Sequence, residues 1–160
     1  MTKFNITTIV NKPHEIVWNA FIDPQNMLHY TKYLEKVESV KGEFGEIGAT
    51  AHLHYLEKGR SYILEDKLLE YEKGKRILSQ VSGQGMIIKV ETIFDALQNS
   101  TNISMTWNGT SKSFMVRTML RVMQKKIAKH AGAELEHFKS LVEKYGAKFP
   151  NNILEHNKDK

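Results

Sequence analysis

The sequence contains no cysteine, which excludes disulfides, a thiol nucleophile and any cysteine-ligated metal. No apolar run approaches the ~18 residues that a membrane-spanning helix needs, and the first ten residues lack the apolar core of a signal peptide. We therefore expect a cytoplasmic protein without a transmembrane segment. A chain of 160 residues is long enough for one domain with its own hydrophobic core.

Several catalytic and cofactor motifs are also missing. Gly42, Gly45 and Gly48, and later Gly83 and Gly85, match neither a phosphate-binding loop nor a dinucleotide fingerprint, because neither group leads into a predicted helix. There is no Gly-x-Ser-x-Gly and no His-Glu-x-x-His. We expect these glycines to lie in hairpin turns, and we expect no cofactor.

Two histidines, His52 and His54, share one side of a predicted strand and could begin a metal site. The opposite side of that strand carries Ala51, Leu53 and Tyr55 and is the more apolar one. The histidines should therefore face solvent, and no third ligand is evident. We expect no metal site.

Positive charge is concentrated in the last third of the chain. Residues 112–160 carry eleven Lys and Arg against five Asp and Glu, a net +6, while the rest of the chain sums to −1. Arg117, Arg121, Lys125 and Lys129 recur every four residues and so share the outward face of a helix. Such a face binds an anionic partner or only keeps the helix solvated. No nucleic-acid partner is expected, because no aromatic residues are interleaved with the charges.

The hydrophobic pattern predicts one strand, two short helices, a run of strands and one long helix. Turn residues separate the strands by only two to five positions, which favours an antiparallel meander. The predicted strands are 3–10, 37–41, 49–57, 61–71, 76–81, 86–96 and 101–107, and the predicted helices are 13–22, 23–28 and 114–145.

The long helix carries a single apolar stripe. Its members recur at spacings of three and four from Val116 to Tyr145, and the helix should be about 45 Å long. Only the strands before it can cover this stripe. The fold class is therefore α+β, a curved antiparallel sheet with two short helices and a long C-terminal helix. Residues 1–148 should form this single domain and residues 149–160 a polar tail, in a monomer or a homodimer.

Four short segments resemble the START/Bet v 1-like superfamily, in particular its polyketide cyclase/dehydrase-like branch. They are Lys12–Trp18, Asp23–Asn26, Gly48–Thr50 and Glu134–Lys139. The resemblance spans residues 3 to about 145, although Tyr30 stands where many relatives have tryptophan. It implies the helix-grip fold and an apolar or amphipathic ligand such as a lipid, polyketide or aromatic. No catalytic motif of the family is matched, so no catalytic residue is carried over.

A sheet that wraps a long helix cannot close on it tightly, so we expect a cavity between the two. The residues expected to line it are Tyr55, Val90, Met105, Trp107, Met119, Met123 and Ile127. Two alternating sets compete for the inner face of the strand at 61–71: Tyr62, Leu64, Asp66 and Leu68, or Ile63, Leu69 and Tyr71. Asp66 enters the cavity only with the first set.

Glu134 is the candidate for chemistry. It falls near the centre of the apolar stripe, and His130 lies one turn earlier within reach of its carboxylate. Burial would raise the pKa of Glu134, and the pair could act as a general base and its orienter in proton abstraction next to a carbonyl. Alternatively, Glu134 lies where the helix leaves the sheet and meets water or a backbone amide.

Three functions are compatible with this sequence. The first is binding of a hydrophobic or amphipathic molecule, with Glu134, His130 or Tyr55 orienting it. The second is a polyketide cyclase- or dehydratase-like enzyme that uses Glu134 and His130. The third is an interaction module whose basic helix face binds an anionic partner.

Overall fold

The structure is a computed structural model and describes residues 2–153. Its seven strands are β1 Thr2–Val10, β2 Leu34–Lys41, β3 Thr50–Glu57, β4 Arg60–Glu72, β5 Arg76–Gly83, β6 Met86–Ala96 and β7 Thr101–Thr110. Its three α-helices are α1 His14–Ile22, α2 Pro24–Tyr30 and α3 Phe114–Tyr145. The predicted order of elements is confirmed.

The strands form one antiparallel sheet in the order β1-β7-β6-β5-β4-β3-β2. Strands β2 to β7 follow one another as a meander, and β1 joins the far edge beside β7. Irregular register in β2 and between Leu68 and Glu70 of β4 helps to bend the sheet. The predicted α+β fold with a curved antiparallel sheet is confirmed.

The strand pairing decides which side of β4 faces inward. Leu64 pairs with Leu53 and Asp66 pairs with Ala51, and residues directly opposite each other share a face. Since Leu53 is buried in the inner face, Tyr62, Leu64, Asp66 and Leu68 are the inward set. Asp66 therefore enters the space between the sheet and α3.

Helix α3 is held at both ends by the expected local chemistry. The Ser113 hydroxyl accepts a hydrogen bond from the Val116 amide (3.4 Å) and so caps the start of the helix. Gly146 follows the last residue with φ +78°, a conformation that glycine adopts without strain. The helix packs mainly along β1, and the Gln124 side-chain amide donates to the Lys3 carbonyl oxygen (2.8 Å).

Only the C-terminal half of α3 is well covered. Five residues of this half are buried: Ala131, Leu135, Phe138, Leu141 and Val142. Among the seventeen residues from Phe114 to His130, by contrast, Leu120 is the one buried residue. Aromatic rings of α1, α2 and the segment after α3 surround Phe138, with ring centroids 5.6 Å away at Phe21, 5.0 Å at Tyr30 and 6.2 Å at Phe149. The main core therefore lies at the C-terminal end of α3.

Asn26 ties the short helices to the chain beyond α3. Its buried side-chain amide donates to the carbonyl oxygens of Ala20 (3.0 Å) and Ala147 (2.7 Å), and its Oδ1 accepts from the Phe149 amide (3.0 Å). Phe149 is buried as a result, so the packed domain extends beyond residue 148. The remainder of the expected polar tail, 154–160, lies outside the described residues.

We predict that Asn26→Ala lowers the free energy of unfolding by about 2–4 kcal/mol, because it leaves two carbonyl groups and one amide without partners in a buried place. Urea unfolding followed by circular dichroism measures this loss. Asn19→Ala on the exposed side of α1 is the matched control and should change little. Equal stability of the two variants would contradict the role of Asn26.

Candidate functional site

The inner face of the middle strands is not covered by α3. Helix α3 packs mainly along β1, at one edge of the sheet, and α1 packs on the inner face at Phe94 of β6. Away from Phe94, the inward side chains of β3 to β6 make few contacts with a helix. Many of them are therefore only half-buried: Tyr55, Tyr62, Leu64, Asp66, Ser79, Val81, Ile88 and Val90. The inner face of β3 to β6 thus carries half-buried, mostly apolar side chains beside one side of α3. We call this region, where the sequence predicts a ligand cavity, the grip cavity.

The four sheet residues that were expected to line the cavity all belong to this inner face. Val90 pairs with Trp107 across β6 and β7, and Met105 follows on the same side of β7. The Trp107 ring stacks on Phe4 of β1, with centroids 5.6 Å apart and 16° between the planes. Its indole N–H is buried and has no hydrogen-bond partner among residues 2–153. Tyr55 lies farther across the sheet, on β3, which is separated from β6 by β5 and β4.

The three helix residues of the expected lining are less enclosed. Met119 and Met123 are 45% and 36% exposed, because the N-terminal half of α3 extends where little of the sheet covers it. Ile127, nearer the covered half, is half-buried. The structure therefore places Met119 and Met123 at the open end of the helix.

Glu134 joins α3 to the loop between α2 and β2. Its Oε1 accepts a hydrogen bond from the Lys32 backbone amide (2.9 Å), and the His130 Nε2 lies 3.2 Å from the same oxygen. The Glu134 side chain is 22% exposed and that of His130 is 47% exposed. Burial raises the pKa of Glu134 to about 7, although the Lys32 amide and ammonium group oppose the shift. Burial, and then the charge of Lys32, lower the pKa of His130.

Three tyrosines lie within the electrostatic reach of Glu134. Burial is the main cause that raises the pKa of Tyr30, Tyr55 and Tyr62, and the negative charge of Glu134 adds to each shift. The rings of Tyr55 and Tyr62 stack with centroids 5.1 Å apart and nearly parallel planes. Neutral phenols thus stand near one buried carboxyl group at this end of the cavity.

Tyr30 was not predicted from the sequence as a member of the site, and Tyr62 belonged to one of the two alternatives for the inner face of β4. The two-residue turn Lys58-Gly59 sets the register of β3 and β4, so Tyr62 must stand opposite Tyr55. The sequence therefore contained a signal for the position of Tyr62. No comparable signal identifies Tyr30, whose position depends on the packing of α2 against Phe138 of α3.

Asp66 is a second carboxyl group on the inner face. Burial raises its pKa to about 6, and the nearby Ser79 hydroxyl opposes the shift. The charge of Asp66 also contributes to the raised pKa of Tyr55. The cavity therefore combines apolar walls with two carboxyl groups that titrate near neutral pH, one on the helix and one on the sheet.

The histidines of β3 lie on the outer side of the sheet. His54 Nε2 is 2.8 Å from Glu38 Oε2 of β2, and His52 is its ring neighbour at 6.5 Å. Within residues 2–153, no three His, Asp or Glu side chains are grouped so that they could hold a metal ion. None of the helices in the same range is long and apolar enough to cross a membrane.

A hollow of about 380 Å³ lies at the N-terminal end of α3. It is formed by the β5–β6 hairpin and the residues that lead into the helix: Gly83, Gly85, Met86, Ile87, Ser111, Lys112 and Ser113. The Ser111 hydroxyl donates to the Gly85 carbonyl oxygen (2.6 Å) and connects the two segments. This hollow contains none of the polar residues around Glu134.

No protein-family model matches the chain, and no curated protein matches its sequence. Solved structures match it closely in shape. The aromatase/cyclase ZhuI from Streptomyces sp. R1128 superposes with a TM-score of 0.70 at 15% identity, over 86% of this chain and 91% of that one. The chain has the START/Bet v 1-like helix-grip fold.

Two other helix-grip structures agree with this assignment. A START superfamily protein from Mycobacterium smegmatis gives a TM-score of 0.67 at 12% identity, over 84% of this chain and 94% of its own. An AHSA1-like protein from Aeromonas hydrophila gives a TM-score of 0.68 at 16% identity, over 91% of this chain and 95% of its own. Identities this low establish the fold, and the role of each residue must come from its own surroundings.

We predict that Glu134→Gln changes the pH dependence of stability. The folded protein holds the Glu134 proton more tightly than the unfolded chain does, since its pKa rises from 4.5 to about 7. The carboxyl group's contribution is thus complete below about pH 4.5 and is lost as the pH rises through about 7. Between pH 4.5 and pH 8 the stability of Glu134→Gln relative to the wild type should increase by roughly 2–3 kcal/mol.

Urea unfolding at a series of pH values measures this difference. Asp66 is present in both proteins, so its own titration cancels in the comparison. Glu136→Gln, on the exposed side of the same helix, is the matched control. A constant difference between Glu134→Gln and the wild type at all pH values would contradict the burial of this carboxyl group.

Proposed function

We propose that this helix-grip protein binds one hydrophobic or amphipathic small molecule, such as a lipid, a polyketide or an aromatic compound, in the grip cavity. One observation carries the proposal: the inner face of β3 to β6 carries apolar side chains that are only half-buried, while α3 packs mainly along β1. A globular domain normally covers such a surface. A ligand that filled the space would remove these side chains from water.

Affinity would come mainly from apolar burial, at ~25 cal/mol for each Å² removed from water before ordering costs are subtracted. The phenols of Tyr55 and Tyr62, with Glu134, offer donors and acceptors at one end. A ligand with an apolar body and one or two polar groups fits this distribution best.

The comparisons support the same class of ligand. One of the similar structures is an aromatase/cyclase and another is a START superfamily protein. The stacked pair Tyr55–Tyr62 and the Phe4–Trp107 pair provide flat faces suited to an aromatic or polyketide-derived molecule. The cytoplasmic location, the lack of a nucleic-acid partner and the choice between monomer and homodimer stay predictions.

We predict that Val90→Trp blocks the cavity. Val90 lies on the inner face of β6, and an indole there would occupy the volume that a ligand needs. The Kd of the neutral fluorophore N-phenyl-1-naphthylamine should increase at least about tenfold. Fluorescence titration measures the change, and a thermal melt confirms that the variant is folded.

Lys89→Trp is the matched control, since it adds the same side chain to the exposed outer face of the same strand. It should leave the Kd of the fluorophore unchanged. If Val90→Trp bound the fluorophore as tightly as Lys89→Trp does, the proposed location of the ligand would be wrong.

A second candidate function is catalysis of a cyclase- or dehydratase-like reaction. It is favoured by the contact between Glu134 and His130 and by a Glu134 pKa of about 7, which suits a base that takes up a proton near neutral pH. Glu134 would remove a proton next to a substrate carbonyl, and Tyr55 or Tyr62 would donate a hydrogen bond to the enolate oxygen that forms.

For this alternative, Glu134→Gln should lower kcat at least about a hundredfold and leave the ligand Kd nearly unchanged, because glutamine keeps an acceptor for the Lys32 amide but cannot take up the proton. Product formation from a poly-β-ketone thioester, followed by chromatography, measures kcat. Turnover that survives this substitution would contradict the role of Glu134 as the base, and a lack of turnover by the wild type would favour binding alone.

A further inference from the structure

The first turns of α3 expose large apolar side chains to solvent. Met115 and Val122 are each 80% exposed, and Phe114 and Met119 are exposed as well. Met115, Met119 and Val122 form one patch, because spacings of four and three place them on the same side of the helix, and Phe114 directly precedes Met115. Isolated exposed apolar residues are ordinary on protein surfaces, whereas a contiguous patch indicates a contact with something else.

The spacing places apolar and basic residues on one outward face. Met115, Met119 and Val122 are followed by Lys126 and Lys129, at positions i, i+4, i+7, i+11 and i+14. Residues at these spacings share one side of an α-helix. The outward face is therefore apolar over its first two turns and basic over the next two.

The surrounding charge has a single sign. Residues 96–133 contain no Asp or Glu, and their six Lys and Arg residues are all exposed: Lys112, Arg117, Arg121, Lys125, Lys126 and Lys129. Among residues 2–153, none of these six forms an ion pair. An apolar patch bordered by unpaired cations matches the interface of a bilayer that contains anionic lipids.

We propose that the N-terminal half of α3 docks on the surface of an anionic phospholipid bilayer. Phe114, Met115, Met119 and Val122 enter the boundary between headgroups and acyl chains, while the basic side chains contact the phosphates. A second copy of the chain is a poor occupant, because it would bring six like charges against six. Nucleic acid is a poorer one, since Phe114 is the single aromatic ring among these four side chains and methionine and valine offer bases no ring on which to stack.

Co-sedimentation of the full-length protein with vesicles tests this proposal. Vesicles of phosphatidylcholine with 30% phosphatidylserine should bind the protein, and vesicles of phosphatidylcholine alone should bind it at least about tenfold more weakly. Met115→Ser with Val122→Ser should weaken binding to the anionic vesicles at least tenfold without affecting the thermal melt, because both side chains are exposed. Lys126→Glu with Lys129→Glu should abolish binding.

Lys67→Glu with Lys89→Glu is the matched control, as it makes the same change in net charge on the exposed outer face of the sheet. It should retain most of the binding. The proposal would be overturned by equal loss in both charge variants, by unchanged binding of the double serine variant, or by no binding to the anionic vesicles. Tighter binding to duplex DNA than to vesicles, or a dimer disrupted by the serine variant, would assign the patch to another partner.

Discussion

The path of α3 along β1 determines which parts of the sheet and of the helix itself stay uncovered. The helix is 32 residues long, and its stripe of apolar residues is longer than the surface that can cover it. The core around Phe138 holds the C-terminal half against α1, α2 and Phe149. Because the helix is fixed at that end and follows an edge strand, it cannot also cover the middle of the sheet. The half-buried inner face of β3 to β6 and the exposed first turns of α3 are two consequences of this one packing constraint.

Glu134 has a structural contact and also lies in the proposed ligand site. Its hydrogen bond to the Lys32 amide secures the loop between α2 and β2, which is a structural task. The same burial that makes this bond possible raises the pKa of the carboxyl group and places it beside three phenols. One side chain can thus close the end of the cavity and present a polar group to its contents.

Much of the fold was predictable because alternation along the strands and the 3.6-residue period of α3 are local signals. The inner face of β4 was not, and the irregular register between Leu68 and Glu70 explains why: it shifts the phase of the alternation, so that Leu69 and Tyr71 compete with Leu68. Only the pairing with β3 decides the facing. Buried Phe149 was missed because a single apolar residue in a polar segment has no periodicity.

The site was predicted less completely, because its contacts join distant parts of the chain. Glu134 and His130 share a helix turn and were expected to meet, but the Lys32 amide lies 102 positions away and belongs to a loop. Met123 follows the buried Leu120 by three positions on the same stripe and is nevertheless exposed, because the apolar pattern does not indicate where the covering sheet ends. Periodicity gives the side of a helix that is apolar. Tertiary structure decides how much of that side is covered.

Native mass spectrometry of the purified protein, with organic extraction of what it releases, tests the central claim most directly. The account predicts a complex with one small hydrophobic or amphipathic molecule per chain, either already present or formed on incubation with a panel of fatty acids, flavonoids and polyketides. It also predicts that Val90→Trp loses that molecule while Lys89→Trp keeps it. A mass equal to that of the chain alone, before and after incubation with the whole panel, would contradict a ligand-binding cavity between α3 and the sheet.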